Sequence, residues 1–147
     1  ARGGQEMEPK VNWARVEFES VAENLGFARV AVAGWAAGLG FTLEELDDIK
    51  LAVSEAVSNC IVHAYPQRPG RVLVQLSASD HALTVSVQDE GIGIEDVPAA
   101  RRPGVSSSSQ RMGMGFTLME ALSKSMEVTS SPGHGTTVVM SFAPGDR

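Results

Sequence analysis

The chain has 147 residues, of which 43% are hydrophobic and 20% charged; this composition fits one globular domain and excludes a wholly disordered chain. Twelve Lys and Arg stand against eighteen Asp and Glu, a net charge of −6, which argues against direct binding of nucleic acid because phosphate backbones require a basic surface. The single cysteine, Cys60, excludes an intrachain disulfide and a zinc site built from cysteines, and we expect it to be a small buried residue in a helix.

The beginning of the sequence predicts a tail without regular structure. Residues 1–10 are polar, include two glycines and lack the apolar stretch of a signal peptide. We therefore expect a disordered tail over residues 1–10 and a single domain over residues 11–147. No apolar run approaches the roughly 20 residues that a transmembrane helix needs, so we expect a cytoplasmic protein without a membrane partner.

The first part of the domain predicts one strand and two helices. Residues 11–19 alternate imperfectly between apolar and polar side chains and predict a strand. Apolar residues at helical spacing predict a helix over residues 24–39, which glycines then end. Thr42 and Glu45 have the spacing of a capping box, so the next helix should begin there and run to about Ala64.

The second part of the domain predicts four strands, a long loop and one helix. Residues 71–77 and 83–89 alternate with period two and predict an antiparallel hairpin. Residues 90–114 contain several glycines, two prolines and a run of serines, which is typical of a functional lid or a disordered segment. The rest of the chain predicts a short helix and two strands, over residues 116–125, 126–130 and 136–142.

The order of these elements predicts the fold class. It reads βααββ, then the long loop, then αββ, and helices and strands do not alternate regularly. We therefore expect an α+β fold. Its architecture should be a two-layer α/β sandwich, in which helices cover one face of a mixed, mainly antiparallel sheet.

Three polar residues of the second helix are candidates for a functional site. Glu55, Asn59 and His63 are spaced by four residues, so they lie on one helix face, opposite the apolar residues that supply packing. Such side chains could bind a metal, a phosphate or a hydroxyl group. The same spacing also fits a solvated polar stripe, and it does not by itself decide between the two.

A carboxylate and a glycine-rich turn follow the hairpin. Asp89 ends an apolar strand and is followed by Gly91 and Gly93. The carboxylate could accept hydrogen bonds from an exocyclic amine, while the glycines would let a flat ligand approach without clashing with Cβ atoms. Taken alone, this pattern is also that of a common turn.

Two further features lie near the predicted C-terminal elements. Gly113 and Gly115 precede the predicted last helix, where backbone N–H groups and the helix dipole could hold phosphates. Thr136 opens the last strand, where its hydroxyl could lie beside Asp89. Each feature also has an ordinary structural explanation.

In this order, the four features resemble the GHKL nucleotide-binding family, named for gyrase, the ninety-kilodalton chaperone, histidine kinases and mismatch-repair ATPases. Within it, the sequence is most similar to the bacterial anti-sigma factor serine kinases of the SpoIIAB and RsbW type. The resemblance covers nearly the whole chain after the tail. The matching segments are residues 27–30, residues 54–59 with His63, residues 89–94 and residues 111–116.

The resemblance implies a nucleotide site with ATP or ADP and Mg²⁺. Asn59 would hold the Mg²⁺ against the triphosphate, and Glu55 would orient or deprotonate the attacking serine hydroxyl. Asp89 would accept the adenine amino group with support from Thr136. The resemblance gives the remaining residues these roles: Gly91 and Gly93 shape the adenine pocket, Gly113 and Gly115 close over the phosphates, Arg111 reaches the γ-phosphate, and His63 contacts a phosphate or orients a neighbour.

The resemblance also implies partners. It predicts a protein serine kinase and anti-sigma factor that binds a sigma factor, phosphorylates an anti-anti-sigma protein of the STAS type on serine, and forms a homodimer. Arg29 in the first helix would bind these partners. The serine-rich segment 97–112 contains few acidic residues and departs from the family pattern, so details of lid closure are not transferred.

Two other functions remain open. One is a nucleotide-dependent binding module without significant kinase activity, and the other is a switch-type stress-signalling serine kinase that does not bind a sigma factor. Glu55 favours an enzyme over the binding module, because a pure ATP clamp needs Asn59 but no base. The sequence does not separate the two kinases.

Overall fold

The computed structural model describes residues 11–80, 82–102 and 107–145, with side chains from residue 112 onward in the last range. The predicted tail, residues 1–10, lies outside the described residues. Five strands are β1 (Val11–Glu19), β2 (Arg71–Ser79), β3 (Ala82–Asp89), β4 (Ser125–Ser130) and β5 (Thr136–Phe142). Four α-helices are α1 (Glu23–Ala36), α2 (Leu43–Asn59), α3 (Val97–Ala100) and α4 (Ser107–Leu122).

The five strands form one sheet in the order β1-β2-β3-β5-β4. All four pairings among the described strands are antiparallel, so the predicted mainly antiparallel sheet is confirmed, without a parallel pair. The register places Asp89, the last residue of β3, opposite Thr136, the first residue of β5. Two residues far apart in sequence therefore meet at one end of the sheet.

The core lies between the sheet and the layer formed by α1, α2 and α4, which confirms the predicted two-layer α+β sandwich. Residues of β3 alternate between buried and partly exposed, as expected of a strand that packs on helices with one face only. Helix α2 is central, because it packs against both α1 and α4. The largest fully buried side chains include Val32, Ile49, Val53, Leu83, Val85, Phe116, Met119 and Met140.

The predicted capping box at the start of α2 is present. The Glu45 backbone N–H donates to Thr42 Oγ1 at 3.1 Å, and the Thr42 N–H donates to Glu45 Oε1 at 2.8 Å. The other carboxylate oxygen of Glu45 accepts from the Gly145 N–H at 2.7 Å. This cap therefore also connects the start of α2 to the segment that follows the last strand.

We expect the Thr42→Ala variant to lose about 1 kcal/mol of unfolding free energy, because the first turn of α2 would lose its side-chain acceptor. Chemical denaturation measures this loss. Thr42→Ser keeps the hydroxyl and should retain most of the stability. Equal stability of the alanine variant and the wild type would mean that water replaces the cap.

The end of α2 differs from a regular helix. The α-helix ends at Asn59, and Cys60–Ala64 continue as a π-helical turn. The prediction that helical structure extends to about Ala64 is confirmed, but the wider turn was not predicted. Such turns occur frequently at functional sites, and this one carries His63.

The predicted position of the last helix was wrong. Helix α4 begins at Ser107 rather than Phe116, and the short helix α3 also lies inside the predicted loop. Gly113 and Gly115 were interpreted as residues that precede a helix, whereas both lie within α4. Residues 103–106, part of the serine-rich segment, lie outside the described residues. Among the described helices, none is long and apolar enough to cross a membrane.

Candidate functional site

A cavity of about 340 Å³ opens between the end of α2, the adjoining ends of β3 and β5, and α4. Apolar side chains, among them Val87 and Val138, share its wall with a few polar ones. This combination is typical of a small-molecule site. Five residues predicted for the site line the cavity: Asn59, His63, Asp89, Gly93 and Thr136.

Asp89 is the buried carboxylate of this cavity and is only 6% exposed. Its Oδ1 accepts backbone N–H groups from Gly91 at 2.9 Å and from Thr136 at 3.2 Å. Burial raises the pKa of Asp89 above its ordinary value, and the two backbone hydrogen bonds offset part of that rise. The result is a carboxylate that is fixed in place and able to accept a hydrogen bond from a ligand in the cavity.

Thr136 lies opposite Asp89 and on the cavity wall, and its two polar groups have different partners. Thr136 supports Asp89 through its backbone N–H, and its hydroxyl instead forms a hydrogen bond with Ser130 Oγ at 2.8 Å. Ser130 Oγ also accepts from the Ile94 N–H at 2.7 Å. This serine, which the sequence prediction missed, connects the glycine turn to β5, and its position in an ordinary strand pattern gave no signal.

Gly91 and Gly93 are required by close backbone contacts. A Cβ atom on Gly91 would lie 2.1 Å from the Ala64 carbonyl oxygen, and one on Gly93 would lie 2.1 Å from the Ser131 carbonyl oxygen. Gly93 also has a φ of +77°, which favours glycine. Gly93 lines the cavity, whereas Gly91 packs on the π-helical turn. The N–H group of Gly91 nevertheless contributes to the site by donating to Asp89.

Asn59 provides a second polar group on the cavity wall. Its Nδ2 atom is buried and has no hydrogen-bond partner among the described residues. A buried donor without a partner costs about 1–3 kcal/mol, so it indicates an acceptor supplied by a ligand. The side-chain amide also offers an oxygen, the type of ligand that Mg²⁺ prefers. The residue therefore fits a site for a phosphate and its metal.

Glu55 lies one turn before Asn59 and faces α4. A Cβ atom on Gly115 would lie 3.0 Å from Glu55 Oε1 and 3.6 Å from Asn59 Oδ1. Gly115 thus lets α4 approach the polar face of α2 closely. The structure brings together three residues predicted for the phosphate end of the site.

The glycines of α4 do not form a helix N-terminus here. Gly113 is inside the helix, and its carbonyl accepts from the Thr117 hydroxyl at 2.8 Å. The prediction that these N–H groups hold phosphates at a helix start is therefore wrong for this conformation. Arg111 belongs to α4, and its side chain lies outside the described residues.

Cys60 was predicted as a buried helix residue, and it is 4% exposed. Cys60 also lines the cavity, close to Asp89. Burial, and then the nearby Asp89 carboxylate, raise the pKa of Cys60 well above its ordinary value, so the group is a neutral thiol. Nothing in the sequence pattern distinguished this contact from ordinary packing.

The described residues contain no cluster of three or more His, Cys, Asp or Glu side chains that could hold a metal ion. Beside nucleotide phosphates, Mg²⁺ commonly keeps several waters and takes one or two protein oxygens together with phosphate oxygens. The single amide of Asn59 is compatible with such a site.

Arg29 lies apart from the cavity. It is exposed on α1, next to two exposed apolar side chains, Phe27 at 54% and Val30 at 70%. Arg29 is therefore accessible to a partner protein. The described residues place no part of α1 on the cavity wall.

Comparisons with a family model and with known proteins agree on the family of this chain. A model of the histidine kinase-like ATPase domain matches residues 18–142. The anti-sigma F factor of Caldanaerobacter subterraneus subsp. tengcongensis is 46% identical over 131 residues, which cover 88% of this chain and 92% of that protein. The anti-sigma F factor of Clostridium acetobutylicum is 45% identical, over 88% of this chain and 92% of that protein. The anti-sigma F factor of Pasteuria penetrans is also 45% identical, over 89% of this chain and 90% of that protein.

Solved structures agree on the fold. A Mycobacterium tuberculosis protein described by its RsbU and RsbW domains superposes with a TM-score of 0.67 at 21% identity, covering 90% of this chain and 32% of the other. A blue-light activated histidine kinase from Erythrobacter litoralis EL346 superposes with a TM-score of 0.57 at 27% identity. The match covers 73% of this chain and 33% of the other. The chain spans about a third of each of these longer proteins.

Proposed function

The chain belongs to the histidine kinase-like ATPase domain family, and from this we propose that it is a cytoplasmic protein serine kinase that also binds and inhibits a sigma factor. It uses ATP with Mg²⁺ to phosphorylate an anti-anti-sigma protein of the STAS type, and it acts as a homodimer. The names of its relatives support the sigma-binding part. The observation that carries the nucleotide part is the buried Asp89 carboxylate in a cavity that also contains Asn59.

The cavity suits an adenine base at its Asp89 end. The base would place its flat apolar faces among the apolar wall residues, including Val87 and Val138. Its amino group would donate to the Asp89 carboxylate, which backbone N–H groups already hold in place. A charged acceptor of this kind strengthens the hydrogen bond. The base is thus recognised by its donor as well as its shape.

Asn59 and His63 would face the phosphates from the α2 side. The Asn59 amide oxygen would be a ligand of Mg²⁺. When bound, the ion would neutralise part of the negative charge on the phosphates. Arg111 would add positive charge near the γ-phosphate during transfer. These are positioning and electrostatic contributions, which dominate phosphoryl transfer.

Glu55 would serve as the base. It would accept the proton of the partner's serine hydroxyl while the serine Oγ forms a bond to the γ-phosphorus and the bond from that phosphorus to the β–γ bridging oxygen breaks. Its place one turn before Asn59 on the same helix face supports this assignment. A base in this position acts only when nucleotide and partner are both bound.

We expect the Arg29→Glu variant to capture the sigma factor and the anti-anti-sigma protein roughly tenfold less well, because charge reversal at an interface opposes a carboxylate of the partner. ATP affinity and the fold should be unchanged, since Arg29 is exposed and no described residue of α1 lines the cavity. Surface plasmon resonance with each partner measures the first effect, and calorimetry with ATP measures the second.

Arg15→Glu is the matched control for this variant. Arg15 is an exposed arginine on β1, so the control makes the same charge change on the sheet side. It should leave partner capture unchanged. Equal capture by wild type and Arg29→Glu would remove Arg29 from the interface and leave the kinase part of the proposal standing.

One contact favours a second candidate function, a nucleotide-dependent binding module without significant kinase activity. Helix α4 lies close to Glu55 at Gly115, so the space for a serine hydroxyl on that side of the carboxylate depends on the position of α4. A protein that binds nucleotide without leaving that space would transfer no phosphate.

Two measurements separate the candidate functions. One is calorimetric titration of ATP with and without Mg²⁺, and the other is capture of sigma factors from the same genome. The proposal predicts Mg²⁺-dependent ATP binding and capture of one sigma factor. Nucleotide binding and phosphate transfer without sigma capture would instead identify a switch-type stress-signalling kinase. Failure to bind any adenine nucleotide would overturn the proposed function.

A further inference from the structure

Tyr65 directly follows the π-helical turn, and its phenol connects two strands of the sheet. The phenol oxygen accepts the Glu90 backbone N–H at 2.7 Å and donates its own proton to the Arg71 carbonyl oxygen at 2.5 Å. A phenol keeps its proton at neutral pH, so the one oxygen can donate and accept at the same time. Tyr65 therefore joins the start of β2 to the residue that comes immediately after Asp89.

The ring of Tyr65 lies against a stretch of backbone that is itself fixed. A Cβ atom on Gly70 would lie 2.2 Å from a ring carbon of Tyr65, so a side chain at position 70 would push the ring away. The Gly70 N–H donates to the Ser20 hydroxyl at 3.0 Å, and the Ser20 N–H donates to the Gly70 carbonyl oxygen at 2.9 Å. The surroundings of the ring thus determine where the phenol oxygen lies.

The N–H group that the phenol accepts belongs to the turn that holds Asp89. Asp89 Oδ1 accepts the N–H of Gly91, two residues further on, at 2.9 Å, which is the pattern of an Asx turn. The end of this turn is tied to the π-helical turn, because the Ile92 N–H donates to the Ala64 carbonyl oxygen at 2.9 Å. The phenol restrains rotation of the peptide between Asp89 and Glu90, and such a rotation would draw the Gly91 N–H away from the carboxylate.

We propose that Tyr65 is a positioning residue of the base pocket, whose phenol holds the turn that directs the Asp89 carboxylate toward the amino group of the base. This inference rests on the proposed nucleotide site. Tyr65 does not belong to the described residues that line the cavity, so it acts through Asp89 and not by contact with the ligand. Its effect should therefore depend on whether the base carries that amino group.

The test compares calorimetric titrations of ATP and of purine riboside triphosphate, which has the same ring system without the amino group. We expect the Tyr65→Phe variant to bind ATP about three- to tenfold more weakly, the usual net effect of losing one or two hydrogen bonds. Affinity for purine riboside triphosphate should stay within about twofold of the wild-type value. Gly70→Ala displaces the ring without removing the hydroxyl and should reduce the preference for ATP in the same direction.

Glu90→Gln is the matched control for the Tyr65 variant. The Glu90 carboxylate lies 3.3 Å from the Arg71 guanidinium in an exposed ion pair, a kind of contact that contributes little to stability. The substitution removes this charge but leaves the Glu90 backbone N–H on the phenol. The control should therefore keep the full preference for ATP over purine riboside triphosphate.

The outcomes distinguish this inference from the proposed function. If Tyr65→Phe weakens both nucleotides equally, or keeps the wild-type preference for ATP in full, the inference is wrong while the nucleotide site stands. If Glu90→Gln loses the preference as Tyr65→Phe does, the ion pair rather than the phenol holds the turn, and the inference is likewise wrong. If the wild type binds neither nucleotide, the proposed function itself fails. Thermal melting of each variant confirms that folded proteins are compared.

Discussion

Replacing Glu55 by alanine is expected to lower the rate of phosphoryl transfer by about 10²- to 10⁴-fold, the contribution of a positioned general base. ATP affinity should change little, because the base contacts the partner's hydroxyl rather than the nucleotide. Single-turnover transfer of labelled phosphate to the anti-anti-sigma protein measures the rate. Calorimetry with ATP on the same preparation measures the affinity.

Two further variants make the role of Glu55 specific. Glu55→Gln retains the size of the side chain but not its basicity, so it should be almost as slow as the alanine variant. Asn59→Ala should instead weaken Mg²⁺-dependent ATP binding and turnover together, because it removes the proposed metal ligand. A similar loss of ATP affinity in the Glu55 and Asn59 variants would contradict the assignment of Glu55 as base.

Asp89→Asn should weaken ATP binding by about 1.5–3 kcal/mol, roughly 10- to 150-fold. Two backbone N–H groups and the adenine amino group all need acceptors at this position, and an amide has one oxygen where the carboxylate has two. The substitution also removes the charge that strengthens the bond to the base. Calorimetric titration with ATP and ADP measures the loss.

Asp80→Asn is a suitable control for the Asp89 variant. Asp80 is exposed in the turn between β2 and β3, with a φ of 53°, and asparagine tolerates that left-handed conformation. The control removes the same charge and should leave ATP affinity unchanged. An Asp89→Asn protein that binds ATP as tightly as the wild type would show that adenine does not lie against Asp89.

Much of the fold could be predicted because its signals are local. Strands β2 and β3 alternate with period two, and the capping box of Thr42 and Glu45 marks the start of α2 within one residue. Antiparallel neighbours joined by short turns follow directly from such patterns. The order of motifs, together with the resemblance, then placed Asn59 and Asp89 in one cavity.

The start of α4 could not be predicted because tertiary packing outweighs local preference there. Each glycine inside a helix costs about 1 kcal/mol relative to alanine, so Gly113 and Gly115 argued against a helix. Packing of the buried Phe116 and Met119 against the core offsets that cost. Gly115 also leaves room for the Glu55 carboxylate beside α4, a reason that appears only in three dimensions.

The contacts around Asp89 were also beyond the sequence. Alternation predicts which face of a strand a residue occupies, but not whether a threonine uses its hydroxyl or its backbone N–H. Thr136 uses the N–H for Asp89 and the hydroxyl for Ser130. Cys60 was correctly predicted as buried, but its place on the cavity wall, at the first residue of the π-helical turn, had no signal in the sequence.

The most direct test of the kinase assignment is mass spectrometry of a phosphorylation reaction. The anti-anti-sigma protein from the same genome is incubated with this protein, ATP and Mg²⁺, and its modification is then measured. The account predicts a single phosphoserine on that partner with the wild-type protein. The site should remain unmodified with the Glu55→Ala variant, although that variant still binds ATP. A partner left unmodified by a wild-type protein that demonstrably binds ATP would contradict the assignment.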